Sequence, residues 1–238
     1  MEFKSPLVSG RLIKRYKRFL ADIALDDGQE ITASCPNTGS MMGLTTPGSR
    51  VWCSESDSKT RKYRHTLELV CDTTHGAETL VGINTGHPNA IVFEAIANKK
   101  ISSLKGYQDA RREVKYGENS RIDILLEDPR KGLCYVEIKN VHLVRKKGLA
   151  EFPDSVTARG VKHLGELANM VRDGHRAVMM FLIQRGDANR LELASDIDPA
   201  YADAFDAAVA AGVEPLAYRC EIKPTEITLD RKLKIVRA

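Results

Sequence analysis

Four Glu-x-Lys triplets occur in the 238-residue chain: Glu2-Phe3-Lys4, Glu113-Val114-Lys115, Glu137-Ile138-Lys139 and Glu221-Ile222-Lys223. On a strand, side chains alternate with period 2, so each triplet would put a carboxylate and an ammonium on one face. An aspartate on the neighbouring strand would add a second hard oxygen donor, a set that suits Mg²⁺ or Mn²⁺ with open positions. A cation there could activate water and neutralise phosphodiester charge, while the lysine orients that water or stabilises developing negative charge. The first triplet lies at a terminus expected to fray. The second has Asp109 as its only close upstream acid, with no strand expected around it. The fourth follows an acidic, helical stretch. The third alone has a fitting partner: residues 121–126 (Arg-Ile-Asp-Ile-Leu-Leu) read as a strand with Asp123 between apolar residues. A turn-rich loop over 127–132 joins it to a strand over 133–141. Burying an isolated carboxylate is costly without a partner, so Asp123 needs one. Asp123, Glu137 and Lys139 are the candidate catalytic residues. Asp123 and Glu137 are the candidate metal ligands, with the Ile138 carbonyl as a third. On spacing alone, a plain ion pair of Asp123 with Lys139 or Arg121 stays open.

Beyond the triplet, Asp154 or Ser155 is expected to N-cap a helix running to about Asp173, with Gly174 as its stop. Val161, Leu164, Leu167, Ala168 and Val171 form its apolar stripe. Arg159, Lys162, His163 and Glu166 are expected on the opposite face, overhanging the end of the Glu-x-Lys strand. Arg159, Lys162 and His163 are therefore candidate phosphate contacts. A second basic group stands near the N-terminus. Arg11, Lys14, Arg15, Lys17 and Arg18 lie within eight residues, with Tyr16 and Phe19 among them. Basic side chains contact phosphates and aromatics stack on bases, so Arg11, Lys14, Arg15, Tyr16, Lys17 and Arg18 are candidate DNA contacts. The alternative is a solvated edge strand whose charges discourage aggregation.

Three runs together carry a resemblance: Tyr135-Val136-Glu137-Ile138-Lys139-Asn140-Val141, Phe152-Pro153-Asp154, and Thr157-Ala158-Arg159-Gly160-Val161-Lys162-His163-Leu164. Pro36-Asn37-Thr38-Gly39-Ser40-Met41, Asn84-Thr85 and Pro88-Asn89 add to it. Over essentially its whole length the chain resembles the sugar fermentation stimulation protein A family. The resemblance implies an N-terminal OB-fold-like β-barrel and a C-terminal α/β domain similar to PD-(D/E)xK nucleases. It also implies DNA binding and a link to expression of sugar-utilisation genes. Asp123, Glu137 and Lys139 fall on the nuclease motif, with Ile122 where the motif name has its Pro.

These residues need a scaffold, and the chain reads as two. Short β-prone runs at 20–25, 30–33, 50–54 and 65–72, separated by Gly, Pro, Asn and Asp clusters, point to a small barrel or sandwich over 1–85. A helix is expected over 89–101, a nearly all-apolar strand over 177–184, an Ala-rich helix over 199–211 and a strand over 216–223. That alternation argues for an α/β domain over 86–238. Charge is uneven along the chain: net +4 over 1–65, −4 over 66–98, +7 over 99–185 and −3 over 186–238. Two basic regions around an acidic one suit a polyanion such as DNA better than the overall +4 does. Five cysteines without a Cys-x-x-Cys pair argue against a zinc site or disulfide framework. The absence of an apolar leader or a long apolar run makes cytoplasm the expected location and excludes a helical membrane span. Asn37-Thr38-Gly39-Ser40 and Asn84-Thr85-Gly86 read as turn chemistry. His65, His75, His87, His142, His163 and His175 show no metal-ligand spacing, though His142 and His163 flank the proposed site. Two functions remain: a Mg²⁺-dependent nuclease carrying a DNA-binding barrel, and a DNA-binding regulator on a non-cutting nuclease-like fold. An enzyme of nucleotide or sugar phosphates ranks last, for want of a Gly-rich phosphate loop.

Overall fold

The computed structural model describes residues 1–117 and 120–237, so residues 118, 119 and 238 of the second expected domain lie outside it. Six strands come first: β1 (Val8–Tyr16), β2 (Leu20–Leu25), β3 (Glu30–Ser34), β4 (Arg50–Glu55), β5 (His65–Asp72) and β6 (Thr79–Gly82). They pair in the order β3-β2-β1-β4-β5-β6, and a bridge between Ser34 and Thr66 joins β3 to β5. That bridge closes β1–β5 into a barrel. Leu12, Ile23, Val51, Leu67 and Val70 fill its interior. The tight β1–β2 turn holds Lys17 and Arg18 at φ +48° and +64°. Side chains tolerate that left-handed region poorly, at about 1 kcal/mol per residue.

Next come α1 (Pro88–Ala97), β7 (Asp109–Tyr116), β8 (Ser120–Asp128), β9 (Gly132–Val141), β10 (Leu143–Lys146) and β11 (Leu149–Phe152). The chain continues through α2 (Ala158–Arg172), β12 (Arg176–Ile183), β13 (Arg190–Leu193), α3 (Pro199–Ala210), β14 (Glu214–Lys223) and β15 (Glu226–Val236). The nine strands form one sheet in the order β10-β11-β13-β15-β14-β12-β9-β8-β7. Inside the sheet, almost wholly buried, runs β12, parallel to both β9 and β14. Alternation divides β12 between two cores. Met179, Phe181 and Ile183 pack with α2 and α3, and Val178, Met180 and Leu182 pack with α1. Each such side chain contributes roughly 1.5–3 kcal/mol on burial. The central strands β9 and β12 therefore make a rigid floor for whatever stands at their ends.

Several expectations are corrected. The N-terminus is tied down, not frayed: the Met1 ammonium donates to Ile227 O at 2.9 Å, and Phe3 N donates to Thr225 O at 3.1 Å. Met1, Phe3 and Leu7 pack on the α1 side of the sheet. Asp109 does lie on a strand, β7, whose largely polar, exposed residues gave no alternation to read. Helix α1 ends at Ala97, four residues before the expected end. Thr157 caps α2 by accepting from Gly160 N, because Asp154 is engaged elsewhere.

Barrel and sheet meet along a seam of buried charge. Arg185, 1% exposed, donates to Asp72 of β5 at 2.8 Å, to Asp187 at 2.6 Å and to His142 O at 2.9 Å. Gly82 N donates to Gln184 O at 2.9 Å, carrying the backbone pairing across the seam. A loop of the barrel adds the last contact: Ser40 Oγ donates to Asp154 O at 2.8 Å and Met41 N to Asp154 Oδ2 at 3.1 Å.

Candidate active site

The β8–β9 ladder ends at Ile124 opposite Val136. One step further, the register sets Asp123 against Glu137, and both side chains line the same cleft of about 660 Å³. There the pairing gives way: Ile138 N donates to Asp123 Oδ2 at 2.7 Å. Asn89, in the first turn of α1, donates to Asp123 Oδ1 at 2.8 Å and to Glu113 Oε1 of β7 at 2.9 Å. The start of α1 is itself held by the barrel. Glu68 of β5 accepts from Ser54, Asn84 and His87, each at 2.7 Å. The His87 imidazole, at the N-cap of α1, is thus used to fix the helix that delivers Asn89.

Glu137 is 3% exposed. Its Oε1 meets Lys139 Nζ at 2.8 Å and also touches His163 Nδ1. His163 Nε2 accepts from Arg159 Nε at 3.3 Å. A ring that donates through Nδ1 and accepts through Nε2 is the neutral tautomer, assigned from this network. Glu137 Oε2 is buried without a partner. Such an orphan oxygen is expensive to bury, and a bound cation would satisfy it.

The two carboxylates respond differently. Burial and then the Glu137 charge push the Asp123 carboxyl up to about 6, against the pull of Ile138 N, Asn89 and Lys139. Burial also raises Glu137, but His163 and Lys139 outweigh it and hold that carboxyl below its ordinary value. Two facing carboxylates in electrostatic conflict, one with an orphan oxygen, fit a hard divalent cation. Among the described residues no group of three His, Cys, Asp or Glu has ligating geometry. Asp123 and Glu137 would therefore hold the cation with backbone oxygen, water or substrate, an arrangement Mg²⁺ accepts.

The expected residues are brought together unequally. Asp123, Glu137 and Lys139 converge, and exposed Arg159 and Lys162 line the same cleft with Arg121. His163 is corrected: it is not on the solvent face with Arg159 but 5% exposed, seated against Glu137. Glu166 is likewise buried and accepts from Ser120 Oγ at 2.8 Å. In the basic run, Arg15 departs most from a phosphate contact. Its Nη2 donates to the carbonyls of Arg18, Asn37 and Gly39 at 2.7–2.9 Å, so it pins the turn and the 37–40 loop. Tyr16 donates to Asp22 at 3.0 Å, Lys14 pairs with Asp22 at 3.4 Å, and Arg11 donates to Gly48 O at 2.9 Å. Lys17 and Arg18 stay exposed. His142 is buried and faces Asp154, so it cannot touch a phosphate. Asn89 and Glu113 were missed. Glu113 sits on an unread strand, and Asn89 belongs to a helix whose apolar spacing says nothing about its polar side.

Comparison with known proteins now places the chain. Residues 13–83 match the family description "SfsA N-terminal OB domain", and residues 86–226 match "Sugar fermentation stimulation protein RE domain". The chain belongs to the sugar fermentation stimulation protein family. A family homologue from Sinorhizobium medicae is 58% identical over 95% of this chain and 93% of its own. One from Brucella anthropi is 59% identical over 95% and 96%. Among solved structures, Pyrococcus furiosus SfsA in complex with Ca²⁺ matches with a TM-score of 0.87 at 27% identity, covering 99% of this chain and 98% of that one. The architecture is the expected one, an OB barrel followed by an α/β sheet domain, the part that matches the RE-domain description. No helix among the described residues is long and apolar enough to cross a membrane.

Proposed function

We propose that this family member binds DNA in the cleft and hydrolyses phosphodiesters there with a divalent cation, Mg²⁺ or Mn²⁺, held by Asp123 and Glu137. The observation that carries the reading is the buried, partnerless Glu137 Oε2 beside a carboxyl pushed up to about 6, in a cleft rimmed by Arg121, Arg159 and Lys162. A related structure is described with Ca²⁺, a cation that also takes oxygen ligands. The bound cation would polarise the phosphate and lower the pKa of water. Lys139, fixed by Glu137, would face the developing negative charge. His163 keeps Glu137 ionised and oriented, and Arg159 and Lys162 meet the backbone phosphates. The extent of the two units, 1–85 and 86–238, remains our proposal. The five cysteines, all free and buried, suit a reducing compartment, and we place the protein in the cytoplasm.

A second reading rests on Asp123, whose two oxygens already hold protein donors. On this reading the site is a non-cutting remnant in a DNA-binding regulator of sugar-utilisation genes. One experiment separates the two. Supercoiled plasmid and single-stranded DNA are incubated with Mg²⁺ or Mn²⁺ and wild-type protein or Lys139→Ala. The nuclease reading expects cleavage that falls at least about 100-fold in the variant, the size of one charge-stabilising donor. DNA affinity should change only a few-fold. Absence of cutting by wild type with either cation removes the nuclease reading.

A further inference from the structure

Four large apolar side chains are exposed among the described residues: Ile13, Phe19, Met42 and Val156, at 36%, 50%, 48% and 74%. Three of them share one neighbourhood although they are far apart in sequence. The Arg15 guanidinium donates to Arg18 O at 2.7 Å and to Ser40 O at 3.4 Å, which anchors the turn bearing Phe19 and the loop bearing Met42 around one side chain. Ser40 Oγ donates to Asp154 O at 2.8 Å, which ties that loop to the segment bearing Val156. Thr157, the next residue, caps α2, and α2 presents Arg159 and Lys162 to the cleft. The fourth, Ile13, lies on β1, which runs into the same turn. The exposed charges beside the patch, Lys17, Arg18, Arg159 and Lys162, are all cationic. The carboxylate at the seam, Asp154, is turned inward to Met41 N and His142.

An apolar surface with a cationic rim next to the cleft has one fitting occupant if the cleft holds DNA. The flanks of a paired duplex offer phosphates and sugars, which give Phe19 and Met42 nothing apolar to bury. Unpaired bases expose their faces, stack on such side chains, and carry the phosphates that the rim cations would meet. Phe, Met and Arg also suit a protein interface, but lysine, which supplies two of the rim cations, is depleted there, and four cations around an apolar patch favour a polyanion that carries apolar faces. We infer that Phe19, Met42 and Val156 form a platform for unpaired bases, so that the preferred substrate is single-stranded or locally unpaired DNA led into the cleft past Arg159 and Lys162. This rests on the DNA-binding part of the function proposed above.

The test compares binding of wild type and the Phe19→Ala/Met42→Ser/Val156→Ser variant to a single strand, the perfectly paired duplex, and that duplex with a central bulge. EDTA is present throughout so that no cutting intervenes. Wild type should bind the single strand and the bulge more tightly than the duplex. The triple variant should lose roughly fivefold or more on both, the share of at least one stacked base. Its duplex affinity should hold within about twofold. Phe19→Tyr, which keeps a stacking ring, should retain the preference, guarding against a folding artefact in the triple variant. Equal binding of all three DNAs by wild type, or a preference unchanged in the triple variant, overturns the platform while leaving DNA binding intact. Wild type that binds no DNA at all removes the DNA reading itself. Wild type that sediments as an oligomer, dispersed in the triple variant, overturns the platform in favour of contact between copies of this chain.

Discussion

Asp123 and Asp154 are both largely buried, both accept a backbone N–H, and are pushed in opposite directions. Burial raises each. At Asp154, the His142 imidazole at 3.3 Å, then Met41 N and the Ser40 hydroxyl, outweigh burial and hold the carboxyl at about 2. At Asp123, the facing group is Glu137, and its charge adds to burial to reach about 6. One site faces hydrogen-bond donors and an imidazole, and the other faces a second carboxylate. The Asp154 carboxylate is completed by the chain itself and does a structural job, locking barrel to sheet. On the function proposed above, the Asp123 site is completed by a cation, which is the physical difference between a latch and a binding site.

The largest effect expected is at the seam. Arg185→Ala leaves Asp72 and Asp187 facing a buried hole, at a cost of about 3–5 kcal/mol, or a fall in Tm of roughly 10 °C. Lys139→Ala, in the cleft, should shift Tm far less, since His163 still partners Glu137. If calorimetry finds Lys139→Ala the more damaging of the two, the cleft charges are structural and the contrast collapses.

Next come the aspartates themselves, which should respond to pH with opposite signs. The depressed Asp154 carboxyl contributes stability that is present above its unfolded pKa, near 4, and lost as pH falls through about 2. Asp154→Asn should therefore cost about 2 kcal/mol at pH 7 and almost nothing at pH 2. The raised Asp123 carboxyl works the other way. Between about pH 4 and 6 the folded state holds the extra proton, so wild-type stability falls as pH rises through that window. Asp123→Asn should be more stable than wild type by about 3 kcal/mol at pH 7.5 in EDTA and indistinguishable below pH 4. Urea midpoints across pH measure both. Adding Mn²⁺ at pH 7.5 should stabilise wild type and leave Asp123→Asn unmoved. An Asp123→Asn protein that is less stable at every pH would mark Asp123 as the ion-pair partner of Lys139.

The sequence disclosed the cleft's centre better than its walls, for a physical reason. Asp123 stood out because an acid between Ile122 and Ile124 on a buried strand needs an explanation, and Glu137 and Lys139 because strand periodicity puts them on one face. His163 and Glu166 were misplaced because a helical wheel sorts side chains by polarity. Helix α2 packs on α3 and on the sheet, while its first turns look into a polar cleft, so polar residues there are buried as deeply as leucines. The strand Glu226–Val236 escaped notice because its alternation is broken by Asp230, Arg231 and Lys232. Asp154 read as a helix cap because it follows a proline near an apolar stripe. Its true partners, Ser40, Met41 and His142, are distant in sequence except for His142. The turn motifs were read correctly as turns: Asn37 Oδ1 accepts from Gly39 N at 2.9 Å and Asn84 Oδ1 from Gly86 N at 2.9 Å. Their second role, joining barrel to sheet, was invisible without the fold.

The smallest effect concerns the basic run, where composition promised a uniform surface and the structure divides it. Arg15 has given its Nη2 donors to three carbonyls, whereas Lys17 and Arg18 point to solvent from a turn. A cation that contacts a duplex phosphate releases counterions, and each contact steepens the slope of log affinity against log salt by about 0.9. Lys17 and Arg18 should be replaced by asparagine, which tolerates the left-handed backbone both residues hold. That pair should flatten the slope by somewhat under 2 if both touch the duplex. Arg15→Ala should leave the slope nearly unchanged while lowering Tm, since the half-buried Asn37 and Gly39 carbonyls each lose a hydrogen bond worth about 0.5–1.5 kcal/mol. If instead Arg15→Ala flattens the slope and spares stability, the carbonyl contacts give way when DNA binds. The barrel would then present this arginine to the phosphates after all, as the Asp123 site would receive its cation, and the distinction between latch and binding site would hold only in the absence of DNA.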